Sequence, residues 1–386
     1  MSEKPPPSKL TAPILNWRAD QIGDPIARLR FLRSATSTID TGKSSARLFR
    51  RHGLAAIALL LAGSAMMPFR SMLSATHTER APRITPATAK VDTTKIWQVE
   101  STKDFENYSN GLRIEKAFAT PNRTRPKYRV FQRNGPRADK YEMRSNIAGI
   151  VYHTTESHIA PFQKDSNDLL RRAGRSVIAE VQIRRCYNYL IDRFGRVWRI
   201  VEESDVAWHA GPSIWADSTG VYVNLNESFL GISFEAETYT KDRQAIATDA
   251  QIHSARMLTE MLRAKYNIPA GNCATHAQVS VNAANMGIAY HTDWAGNFPF
   301  TALGLPNNYA EPLPSLWTFG FDYDQSLIRV LGEKPWTGLT LAEQHVREQA
   351  ALAGLPAAQY KHRLQQRYKE LIQALYGADE VQANES

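Results

Sequence analysis

Cysteine is nearly absent: 386 residues contain two, Cys186 and Cys273. At most one disulfide can form, and the pair leaves two options. One is a bridge in an oxidising compartment and the other is two small buried thiols. Long apolar runs are equally scarce. The one uninterrupted stretch, residues 53–69, sits at the lower length limit for crossing a bilayer. Basic excess is missing where a nucleic-acid binder needs it. The formal charge is +9, yet residues 1–90 hold 14 Lys/Arg against 5 Asp/Glu, and the rest of the chain carries 33 of each. A phosphate-gripping groove on the folded region is therefore excluded, and no nucleic-acid partner is expected. There is no internal repeat.

What is present divides the chain. Residues 1–52 are polar and basic, with Pro5-Pro6-Pro7 near the start, and read as mostly disordered. Arg47, Arg50 and Arg51 precede the apolar run and Arg70 bounds it. This marks 53–69 as a membrane anchor, or as a signal h-region with small residues (Gly63-Ser64-Ala65) for cleavage. A buried core helix is the alternative. The positive flank would stay in the cytoplasm and the bulk of the chain outside, so a periplasmic or envelope location is expected. Residues 70–144 read as a linker and N-terminal extension, with short candidate strands at 96–99 and 112–114.

From residue 145 to 303 strand and helix signals alternate. The apolar run 147–152 ends in His153. Residues 187–191 and 196–201 flank a Gly195 turn as a hairpin. Residues 229–234 read as a further strand. Thr248 with Gln251 is a capping box, opening a helix with apolar residues at 252, 255, 258, 262 and 266. The expected fold is α/β, a central mixed β-sheet flanked by helices, with a C-terminal helical extension over 304–386. Within it, 339–353 and 357–376 read as two helices around Gly354-Leu355-Pro356. Their apolar stripe faces either the domain or a partner.

Three of the ten histidines, His153, His276 and His291, lie beside strand ends or turns, and Asp293 follows the last. Two imidazoles and one carboxylate drawn from distant segments make a three-ligand zinc site with one open position, the arrangement of a hydrolase. Cys273 as a thiolate ligand is the weaker option, and His158 reads as a loop residue.

Several motifs occur in order: His153-Thr154-Thr155, the 187–198 hairpin, Trp208-His209-Ala210-Gly211, Asn226 with Gly231–Phe234, His276, and Thr292-Asp293. Together they resemble the zinc N-acetylmuramoyl-L-alanine amidases and their relatives, the peptidoglycan recognition proteins. The resemblance implies one Zn2+ held by His153, His276 and Asp293. It also implies a peptidoglycan or muropeptide substrate and hydrolysis of the bond between muramic acid and L-alanine. Tyr187 takes the place of an assisting tyrosine, and His291 that of a basic residue, usually lysine, two positions before the third ligand. Ser233 stands where one branch has a catalytic glutamate, so Glu235, two residues along the strand, is expected to substitute. Trp208, His209 and Asn226 are expected to line the substrate groove. The pattern departs from its relatives at Trp294, where they have proline. It departs again in the spacing of seventeen between His276 and Asp293, which implies an insertion over 279–289 and leaves His291 open as a ligand. The competing reading is a peptidoglycan-binding module without catalysis, or a docking platform in an envelope complex.

Overall fold

The computed structural model describes residues 95–377, except 158–159, 239–245, 324–326, 328–329 and 332–334. The chain divides into two units, Met1–Ile84 and Thr85–Ser386, and all described residues belong to the second. The disordered reading of 1–52 and the apolar run 53–69 lie outside the described residues. Among those described, no helix is long and apolar enough to cross a membrane.

Eight strands form a mixed sheet. Its order is β1 (Gln98–Ser101), β2 (Phe105–Tyr108), β3 (Arg113–Glu115), β8 (Val197–Arg199), β7 (Tyr189–Ile191), β11 (Phe229–Phe234), β6 (Gly149–Thr154) and β12 (Cys273–Thr275). The first three come from the segment read as an extension and join the sheet through a parallel pairing of β3 with β8. At the other end β7, β11, β6 and β12 run parallel to one another. Every residue of β6 and β11 is buried, as expected of parallel strands covered on both faces. Alternation then sorts the side chains. Ile150 and Tyr152 enter the main core, whereas Val151 enters a second cluster, so His153 projects on the Val151 side.

Helix α1 (Asn167–Arg184) covers that second face near β7, burying Ile178 and Val181 with Leu190. Helix α2 (Asp249–Tyr266) covers the other with Ala255, Leu258, Met261 and Leu262. The expected capping box is present: Gln251 N donates to Thr248 Oγ1 and Thr248 N to Gln251 Oε1. The Gln251 amide also donates to the carbonyls of Ile191 and Glu235, which ties the helix start to two strand ends.

A second sheet escaped the sequence reading: β5 (Tyr141–Arg144), β4 (Tyr128–Phe131), β10 (Val221–Val223) and β9 (Ile214–Ala216). After the one-turn helix α3 (His276–Val279) comes a short hairpin, β13 (Val281–Asn282) and β14 (Gly287–Ile288). Helices α4 (Pro314–Phe319), α5 (Thr337–Leu352) and α6 (Ala357–Tyr376) complete the fold. The stripe on α6 faces the domain, with Leu364, Tyr368 and Leu371 buried and Tyr368 edge-on to Phe319 and Phe321.

A buried ionic group clips β2 to the sheet. Arg199 donates to both Glu106 oxygens at 2.8 and 2.9 Å and to Glu203 Oε1 at 3.3 Å. Burial works to raise the Glu106 carboxyl, but the Arg199 guanidinium outweighs it and holds the pKa below the ordinary value. Such a depressed carboxylate stabilises the fold above its unfolded pKa of about 4.3, and that contribution is lost as pH falls through the folded value. Glu106→Gln is expected to cost about 3 kcal/mol at neutral pH, because it leaves the guanidinium short of a partner. In urea titrations the gap from the wild type should narrow below about pH 4; a gap that is constant with pH would rule out the ion pair as its source.

Candidate metal centre and active site

Topology brings the first two candidate ligands together. β6 and β12 are adjacent and parallel, with Thr275 in register with Tyr152. The residue after each therefore lies at the same sheet edge, His153 on one strand and His276 just beyond the other. This is the carboxyl end of parallel strands, where open α/β sheets place their sites. Thr275 caps α3, its N–H bonded to Gln278 Oε1 at 3.0 Å, and this fixes His276 at the first helical position.

Asp293 arrives from the following loop. Its Oδ1 lies 2.9 Å from His276 Nδ1 and its Oδ2 3.3 Å from His153 Nδ1. The seventeen-residue spacing does not separate them, because the insertion folds on itself. Val281 pairs with Ile288 across β13 and β14, Ala289 N donates to Ser280 O, and Ser280 Oγ donates to the His291 carbonyl. Trp294 anchors the loop. Its indole is buried, and Nε1 donates to the backbone carbonyl of His153 at 2.9 Å. The ring meets Phe234 and Phe298 edge-on. Trp294 adopts φ 58°, a conformation uncommon for a bulky side chain and one that persists where surrounding contacts impose it.

His153, His276 and Asp293 are all buried, and their ligand atoms lie within 4.8 Å of one another. A buried carboxylate needs cationic or hydrogen-bonding compensation. Burial alone would raise Asp293, but the His276 imidazole beside it holds it well below the carboxylate range. Burial lowers His153 to about 4, with His276 adding to the effect. His276 goes the other way, since Asp293 outweighs its burial. Two imidazoles and a carboxylate, preformed and buried, fit a divalent transition metal such as zinc.

The other predicted residues divide. Tyr187 stands beside the cluster, its ring 5.1 Å from that of His153 and its hydroxyl donating to Thr154 O at 3.3 Å. Burial raises its pKa well above the ordinary value, so it remains a donor at neutral pH. His291 stacks on His276 with centroids 4.5 Å apart. Burial lowers His291 to about 3, and the charged form expected of a basic assistant is disfavoured. Glu235 is not brought to the cluster: Oε2 accepts from Arg193 N at 3.1 Å, and a methyl at Gly174 on α1 would lie 3.5 Å from its oxygens. Trp208 is half exposed, with Arg123 5.5 Å from its ring centroid. His209 and Asn226 are buried and turned inward. Both cysteines are free, burial pushes each thiol up to about 12, and Cys273 is in neither group of clustered ligand atoms.

Glu156 was missed. It forms a second close group with His291 and Asp293, is exposed, and has φ 52°. Its position three residues after His153 was the only signal, and spacing along an irregular segment does not fix direction.

These features make a candidate metal site, two imidazoles and one carboxylate, at the edge of a mixed sheet. Residues 143–299 match the N-acetylmuramoyl-L-alanine amidase family. Among curated proteins, the chain is 33% identical over 89 residues to N-acetylmuramoyl-L-alanine amidase AmiD of Escherichia coli (strain K12), covering 22% of this chain and 31% of the relative. The chain thus spans about a third of that relative's length. Among solved structures, AmiD from E. coli in complex with anhydro-N-acetylmuramic acid-L-Ala-D-gamma-Glu-L-Lys is 20% identical. That match covers 60% of this chain and 90% of that one, at a TM-score of 0.33. AmpDh3 from Pseudomonas aeruginosa is 18% identical, covering 59% and 81%, at 0.32. Drosophila peptidoglycan recognition protein SD is 16% identical, covering 44% and 85%, at 0.27.

His276→Ala and Asp293→Ala should each empty the metal site, and His291→Ala should leave it filled, as read by metal content after dialysis against zinc. Loss of metal from His291→Ala with retention in His276→Ala would place the ion in the group with Glu156.

Proposed function

We propose that this protein is a zinc-dependent amidase that cleaves the bond between N-acetylmuramic acid and L-alanine in peptidoglycan or muropeptides. One observation carries the reading: a preformed, buried His153–His276–Asp293 cluster lies inside the segment that matches the amidase family. A zinc ion held there would supply Lewis acidity and activate water. The chain's own residues do the rest. Asp293 and the two imidazoles would hold the ion at the sheet edge. The Tyr187 hydroxyl, kept protonated by burial, would turn from the Thr154 carbonyl to donate to the oxyanion that develops on the scissile amide carbonyl. His291, neutral beside His276, has a ring lone pair that can take a proton from the attacking water and then pass it to the departing amine. Glu235 keeps a structural role, fixing the Arg193 turn beneath α1.

An envelope location is part of the proposal and rests on the arginine-flanked apolar run 53–69. That run would attach the protein to the membrane or be removed with the segment before it. AmiD was solved with an anhydromuramyl peptide, which supports soluble muropeptides as the first substrates to try.

Full-length protein incubated with muropeptides should release peptides with a free N-terminal L-alanine, identified by mass, and a chelator should abolish the release. No release by the zinc-loaded protein would leave a binding module in place of an enzyme. Tyr187→Phe should retain its metal and lose about 100-fold in kcat, the usual consequence of removing one oxyanion donor. An unchanged kcat would take Tyr187 out of the reaction.

A further inference from the structure

The Trp208–Gly211 turn carries a histidine that the metal cluster leaves over. His209 is 5% exposed, and both of its ring nitrogens are engaged. Nε2 lies 3.3 Å from the Phe229 carbonyl oxygen and Nδ1 lies 3.2 Å from His153 Nε2. A carbonyl can only accept, so the His209 proton sits on Nε2, and Nδ1 of the neutral ring keeps its lone pair. His153 Nε2 must then carry the proton that it donates to His209. The remaining lone pair of His153 is on Nδ1, the nitrogen facing Asp293 Oδ2.

We propose that His209 is a positioning residue, which fixes the tautomer and ring orientation of His153 so that Nδ1 is presented to the metal. This rests on the reading of His153 as a ligand.

The surroundings of His209 are built for that geometry. Asn226 Oδ1 accepts from the backbone N–H groups of both His209 and Ala210, at 2.9 and 2.8 Å, and holds the turn in place. The Phe229 carbonyl is itself held by Arg125 Nη1 at 3.2 Å. The same guanidinium donates to the carbonyls of Glu203, Asp205 and Asn226 and locks the two loops together. Gly231 on β11 makes the space: a Cβ there would fall 2.7 Å from His209 Cγ. Two residues expected in the substrate groove, His209 and Asn226, thus act behind the metal ligand. A second layer of this kind orients ligating imidazoles in metal sites generally.

The test uses the full-length protein with His209→Leu, which removes the acceptor, and His209→Asn, whose Oδ1 can replace Nδ1. Zinc affinity is read by competition with a chromophoric chelator, and the ring tautomer of His153 by 15N shifts of the metal-free wild type. His209→Leu should weaken zinc binding by about 10- to 100-fold, and His209→Asn should recover most of it. Metal-free His153 should be protonated on Nε2. Unchanged zinc affinity in a folded His209→Leu protein overturns the proposal, even if both variants lose thermal stability. Protonation of His153 on Nδ1 overturns it too and decides the matter if the leucine variant does not fold. A wild type that binds no zinc overturns the metal reading itself, which keeps the two failures distinct.

Discussion

A carboxylate with almost no access to water holds the site together. Asp293 accepts from Thr154 N and lies against the imidazoles of His153 and His276. An isolated carboxylate at such depth would be driven neutral, so its depressed pKa depends chiefly on the His276 ring. Much of the surrounding structure serves to deliver this one group. Trp294 secures its loop to the strand that carries His153, and Tyr309 donates to the Trp294 carbonyl. The hairpin over the insertion returns the chain to within a hydrogen bond of where it left.

The sheet supplies the complementary constraint. Two parallel neighbours end side by side, so residues far apart in sequence reach one edge without a long loop. Behind that edge, the hydrogen bonds from Arg125 through the Phe229 carbonyl to His209 give His153 a fixed backing. His153 is thus held by contacts on both sides, from Asp293 and from His209. The exposed groups, Glu156 and Trp208, lie on loops at its margin.

Legibility followed the range of each signal. The strand ending in His153, the hairpin around Gly195, the strand 229–234 and the helix opened by Thr248 were readable, because each is written in a few adjacent residues. The four-stranded second sheet was not, since its strands are three or four residues long and are defined by distant partners. The three candidate ligands were readable as types and positions. What the spacing meant was not, because a hairpin with two-residue strands leaves no periodic trace. The role of His209 was read as groove lining from its loop context. Which way an imidazole turns, and what its two nitrogens face, is a tertiary fact. Glu235 failed for the opposite reason: alternation placed it on the correct face, but too far along the strand and beneath α1.

Anomalous diffraction at the zinc edge, from crystals of the zinc-loaded protein, tests the central claim most directly. One peak is expected, bounded by His153 Nδ1, His276 and Asp293, with nitrogen and oxygen distances of about 2.0–2.2 Å. A peak centred on Glu156 and His291, or no peak within this cluster, would contradict the account.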